Sequence, residues 1–172
     1  VVAIGAEAFE AHGDTTDDTN NTIAIGRQAL KVITTGSDNV AIGYQAGLAI
    51  TTSNQNTIIG YQALKEHVGG GSNIAIGPNA MDETAGSNAA ASAYNIAIGR
   101  DALGGDWANA TSNSNIAIGA FAMDAVMNDA NYNVAVGYES LTALTEGNGN
   151  VCIGDILLTN AGGDGFEFDG QI

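Results

Sequence analysis

Asp14, Asp17 and Asp18, within the stretch HGDTTDDTNN, crowd carboxylates into a few residues. Calcium takes about six to eight oxygen ligands, so such a cluster is the first chemistry to consider. No loop follows the EF-hand spacing, and a solvated acidic loop is the plainer reading. GGDGFEFDG at 162–170 approaches the glycine-rich calcium nonapeptide, but Glu167 takes the place of its aspartate and Asp169 that of an apolar residue. His12 and His67 have no Cys or second His at ligand spacing, and Cys152 is the only cysteine, read as a small core residue. No metal or other cofactor is called for. Nineteen acids make some pair of carboxylates inevitable, and glycoside hydrolysis needs such a pair. None recurs at a fixed position beside aromatics as a cleft would require, so the chain is read as a non-enzyme. Tyr44, Tyr61 and Tyr138 each follow a glycine and are read as packing over an edge. Trp107, the only tryptophan, falls in a long loop and is the candidate for an exposed receptor contact.

The elements that carry these residues are repeats. Close relatives of SNIAIGPNAM return along the whole chain, and their closing glycines are Gly5, Gly26, Gly43, Gly60, Gly77, Gly99, Gly119, Gly137 and Gly154. The intervals are 21, 17, 17, 17, 22, 20, 18 and 17 residues. A period of this size means a solenoid, in which no coil buries enough surface alone and each is held by its neighbours.

The residue before each glycine is Ile or Val, and two positions earlier stands Val, Ile or, once, Thr57. β-branched residues favour strands, and in a strand these two positions share a face. Between them lie Ala3, Ala24, Ala41, Ile58, Ala75, Ala97, Ala117, Ala135 and Cys152, on the opposite face. Apolar residues on both faces mean burial on both. The expectation is that Ile and Val fill the coil interior while the small face presses against something else. Asn39, Asn56, Asn73, Asn95, Asn115, Asn133 and Asn150 open the motif, where Asn suits a corner and could form a ladder of stacked amides. After the glycine, Ala-Leu or Ala-Met pairs are followed three or four places on by Ile33, Val68, Trp107, Val126, Met127 or Leu144. This spacing predicts a second apolar element, either a helix of one or two turns or another short strand. Clusters such as TTGSDN, VGGGSN and TEGNGN are loops.

The fold expected is therefore mainly β, a parallel solenoid of about nine coils over residues 1–158, with 159–172 leading into a following segment. At about 4.8 Å per coil the rod would be about 40 Å long. The formal net charge of −15, with 4 Lys and Arg, argues against nucleic acid and against an anionic membrane surface. No apolar run approaches the roughly 20 residues that span a bilayer, so membrane insertion is not expected. The sequence opens inside a motif, as a piece of a longer protein would.

The motif NxAIGxxAL followed by Thr, Asn and Gly, from VVAIGAEAF to YNVAVGYESL, resembles the repeats of trimeric β-solenoid shafts in bacteriophage tail fibres. It is similar also to the head repeats of trimeric autotransporter adhesins, though the longer coils with GYQAG and GYQAL sit nearer the phage version. The resemblance implies a parallel homotrimer, an extracellular rod on a virion or, in the adhesin case, on a bacterial surface, and a host receptor as partner, glycans included. It would place the alanine face, Ala3 through Cys152, at the trimer interface. A tailspike depolymerase is the enzymatic alternative in the same setting.

Overall fold

The computed structural model describes residues 1–10, 21–84, 91–107 and 110–155. Asp14, Asp17, Asp18, His12 and the segment 159–172 lie outside them. The strands are β1 (Val2–Ile4), β2 (Ile23–Ile25), β3 (Val40–Ile42), β4 (Thr57–Ile59), β5 (Ile74–Ile76), β6 (Ile96–Ile98), β7 (Ile116–Ile118), β8 (Ala130–Asn131), β9 (Val134–Val136), β10 (Gly147–Asn148) and β11 (Val151–Ile153). All the motif strands, without β8 and β10, form one 9-stranded parallel sheet in sequence order. Its rungs enclose about 8 turns of a β-solenoid, and β8 pairs with β10 on another wall of the last coils. Register is strict: Ala24 faces Ala41, Ala41 faces Ile58, Ala75 faces Ala97 and Ala117 faces Ala135.

The closing glycine is where each strand ends. Gly26 has φ 132° and Gly43 has φ 143°, a region that L residues rarely enter. A Cβ on Gly26 would also lie 2.3 Å from the carbonyl oxygen of Gly43 in the next coil. Only glycine therefore lets successive coils approach along this column.

The second element is not a helix. Gly26 to Ala29 closes a turn, with the Ala29 N–H bonded to the Gly26 carbonyl, and Leu30 to Ile33 closes another in the same way. Gln28 (φ 62°) and Leu30 (φ 47°) are both left-handed. The same two positions are left-handed in Gln62 and Leu64, Asp101 and Leu103, and Glu139 and Leu141. Each costs about 1 kcal/mol in backbone strain. The hydrogen bonds they permit offset it, since the Gln28 N–H bonds back to Ala6 and the Leu30 N–H bonds forward to Ala46. Paired turns bring apolar side chains inward at a spacing that imitates a helix.

Candidate functional site

The strand alanines point into the coil, not out of it. Ala24, Ala41, Ile58, Ala75, Ala97, Ala117 and Ala135 have 0% exposure within the single chain, and Cys152 is buried beside them. Ala3, in the first coil, is the exposed exception. The expectation that this face meets sister subunits is thus corrected. The interior is narrow, and Leu30, Leu64, Met81, Leu103, Met123 and Leu141 from the turns already fill it, leaving room opposite them only for small side chains. Where Ile58 replaces alanine, Gly47 replaces leucine in the preceding coil: a Cβ on Gly47 would lie 2.9 Å from Ile58 Cδ1. Volume is conserved across the pair.

The other face is left outside. Ile42, Ile59, Ile98 and Ile118 are between 36% and 38% exposed, and Ile4 and Ile153 in the end coils are 58% and 59% exposed. Ile23, Val40, Ile74, Ile96, Ile116, Val134 and Val151 are half-buried beside them. With Thr57 as its polar exception, this is a flat strip of β-branched side chains about 38 Å long and about 10 Å wide, on the order of 400 Å².

At the strip's corner the asparagines form a ladder. Asn95 Oδ1 accepts from the backbone N–H of Asn115 at 3.0 Å and from its Nδ2 at 3.1 Å. Asn95 Nδ2 donates to Ser112 O at 3.0 Å. The same exchange links Asn39 to Asn56, Asn115 to Asn133 and Asn133 to Asn150. A second ladder, six residues before the glycine, runs the other way: the Ser37 N–H donates to Asn54 Oδ1, Ala93 N–H to Asn113 Oδ1, Asn113 N–H to Asn131 Oδ1 and Asn131 N–H to Asn148 Oδ1. A third, outward ladder joins Glu7, Gln28, Gln45 and Gln62.

Trp107 is 1% exposed, with its indole N–H bonded to Leu103 O at 3.2 Å, so it is a core residue and no receptor contact. It takes the interior column of Ile33 and Ile50. Tyr44 stacks on Tyr61 with ring centroids 5.3 Å apart, and Tyr138 meets Phe121 edge-on at 6.0 Å, as packing over an edge requires. The outward aromatics that sequence reasoning missed are Tyr94 and Tyr132, 66% and 68% exposed. Both occupy the left-handed position five residues before the glycine, which only an alignment on the glycines reveals.

Among titratable groups, His67 is buried at the interior position, where Val68 had been expected and is instead exposed. Its Nε2 lies 3.0 Å from Gly70 O and must donate there, so Nδ1 accepts from the Thr84 hydroxyl at 3.1 Å. Burial pushes its pKa down to about 4. Burial, with Glu83 and Asp101 nearby, pushes Asp82 up to about 7, and burial with Asp101 and Glu83 pushes Asp124 up to about 6. Among the described residues no group of three His, Cys, Asp or Glu could hold a metal ion. A cavity of about 240 Å³ lies elsewhere, lined by Thr52, Ser53, Asn54, Gly71, Ala93 and Tyr94 among others.

Comparison with protein-family models, curated proteins and solved structures finds no match for this chain.

Proposed function

We propose that the chain is a segment of an extracellular attachment fibre, a stiff rod that associates with parallel copies of itself through the Ile and Val strip, in the manner of a phage tail-fibre shaft. The strip carries this reading. A row of β-branched side chains outside a coil whose interior is already full gains nothing by facing water, and one copy of this chain matches its flatness and its 4.8 Å repeat rung for rung. Three such faces converge on an axis, which gives the trimer. A rod of this kind works by multivalency: it holds weak receptor contacts on one cell surface, so that second and third contacts form at high effective concentration.

Sedimentation of the purified chain tests the assembly. A particle of three times 17.3 kDa is expected, and Ile59→Glu with Ile98→Glu should reduce it to folded monomer, because three carboxylates would meet unpaired at each rung. Ala97→Glu should instead unfold the coil, since its charge would enter the interior. A wild-type monomer, or a double variant still trimeric, would remove the proposal.

A further inference from the structure

The second asparagine ladder is interrupted at two successive coils. At its position, six residues before the glycine, stand Ser37, Asn54, Gly71, Ala93, Asn113, Asn131 and Asn148. In this ladder the backbone N–H of one coil donates to the Oδ1 of the next, at 2.7 Å from Ser37 to Asn54 and 2.8 Å from Ala93 to Asn113. Gly71 and Ala93 have no such oxygen. The N–H groups of Asn54 and Gly71 therefore run toward a place where the acceptor is missing, and no acceptor among the described residues takes either of them. The 240 Å³ cavity lies here, and both residues line it.

The rest of the lining is of one kind. Thr52, Ser53, Gln55 and Ser72 bring hydroxyls and an amide, Gly69 and Gly71 open the floor, and the exposed Tyr94 stands at the wall. Ser53 is 3% exposed, and its buried Oγ has no partner among the described residues. Tyr94 is held in place by its own N–H, bonded to Gly71 O at 3.2 Å, and by a left-handed backbone at φ 62°. Among the described residues no Asp, Glu, Lys, Arg or His lines the cavity.

We infer that this break in the ladder is a binding site for one pyranose unit of a neutral glycan, whose hydroxyl oxygens supply the acceptors that the missing asparagines would have provided. Two backbone donors and several hydroxyls match a ring of hydroxyls, and an aromatic face stacks on the C–H face of a sugar. A net charge of −15 disfavours an anionic ligand, and backbone N–H donors disfavour a cation. The cavity is smaller than the roughly 300–1,000 Å³ of drug-sized sites, as a single ring requires. The inference gives the attachment reading a ligand class and rests on that reading only for the use of the site. The site itself lies within one chain.

The test is an amide ¹H–¹⁵N titration of the full chain with glucose, galactose, mannose and N-acetylglucosamine, each up to about 100 mM, with glucuronate as the charged control. Saturable shifts are expected at Asn54, Gly71 and Tyr94 with at least one neutral sugar. Tyr94→Ala should weaken binding about tenfold. Ala93→Asn places an Oδ1 within reach of the Gly71 N–H, as Asn113 does for Ala93, and should abolish the shifts while the melting temperature holds or rises. No saturable shift with any neutral sugar, shifts undiminished in Ala93→Asn, or only ordered water in the cavity of a sugar-soaked crystal would overturn the site. Sedimentation reads the assembly separately, so the rod proposal and the sugar site fail independently.

Discussion

His67 stands where Ile33 and Ile50 stand in the coils before it, and the exchange makes one interior position depend on pH. Its folded pKa, about 4, lies below the ordinary 6.5, so between those values the unfolded chain binds the proton and the folded chain does not. Stability therefore falls as pH drops from about 6.5 to about 4, by up to about 3 kcal/mol from this residue. Asp82 and Asp124 act in the opposite sense. Their folded pKa values are raised, so their contribution is fully present at low pH and is lost as pH rises through about 6 and about 7. Comparison with His67→Leu separates the two. At pH 7.5 the variant should be the less stable by about 1–3 kcal/mol, because the Gly70 carbonyl is left with the longer bond from Asn73 Nδ2 at 3.3 Å and the Thr84 hydroxyl with that to Met81 O at 3.4 Å. That deficit should shrink by about 1.4 kcal/mol per pH unit between 6.5 and 4, read from urea unfolding. A deficit independent of pH would mean that His67 is protonated in the fold.

The coil as an element is governed by the volume of its interior, and coils three and four show the rule by exchanging it. Gly47 stands where Leu30 and Leu64 stand, and Ile58 where alanine stands. Ile58→Ala alone should cost about 2–5 kcal/mol through the cavity it opens. Gly47→Leu alone would collide with Ile58 Cδ1, Leu30 Cδ2 and Ile50 Cδ1, each within 3.0 Å of the new Cβ. Together the two changes restore the arrangement of the other coils, and the double variant should be more stable than either single one, with a coupling of about 2 kcal/mol by chemical denaturation. Additive effects would refute the packing.

This rule also explains what could be read in the sequence at the level of the element. Repetition made the strands, the closing glycine and the asparagine corner legible, because each is fixed by backbone geometry that recurs in every coil. Which strand face is interior was not legible. Period-two alternation separates two faces without orienting them, and small alanines fit a narrow interior as well as a close contact between chains. The Leu30 and Ile33 spacing suggested a helix because two tight turns with left-handed residues reproduce a helical interval. Trp107 looked like a surface residue because it falls in a long loop, although its spacing after Leu103 also put it in the apolar column of Ile33, and the column is where it sits. The sugar site could not be read at all without the second ladder, because Gly71 and Ala93 matter only as absences from it.

Across the whole molecule, stability is a property of neighbouring coils, and the asparagine ladder makes it directional. The side chains of Asn95, Asn115 and Asn133 each accept from the coil after them and donate to backbone there, while their own N–H and Nδ2 groups reach the coil before. Asn95→Ala would leave the N–H and Nδ2 of Asn115 without their Oδ1 acceptor and Ser112 O without its Nδ2 donor, all in buried surroundings. The cost should be about 3 kcal/mol or more, spread over the interfaces on both sides. Asn150 is the last rung of the described ladder, and among the described residues its N–H and Nδ2 donate to Asn133 Oδ1, at 2.9 Å each. Asn150→Ala should cost about 1 kcal/mol. A chain whose coils touch only neighbours unfolds as one unit only while every interface is strong. Breaking the ladder at its middle should therefore also lower the cooperativity of urea unfolding, as a smaller m-value or a second transition, and breaking it at the end should not. Equal costs at the two sites, with sharp single transitions in both, would show that the rod is held by its apolar interior and that the amide ladder only follows the register the strands have set.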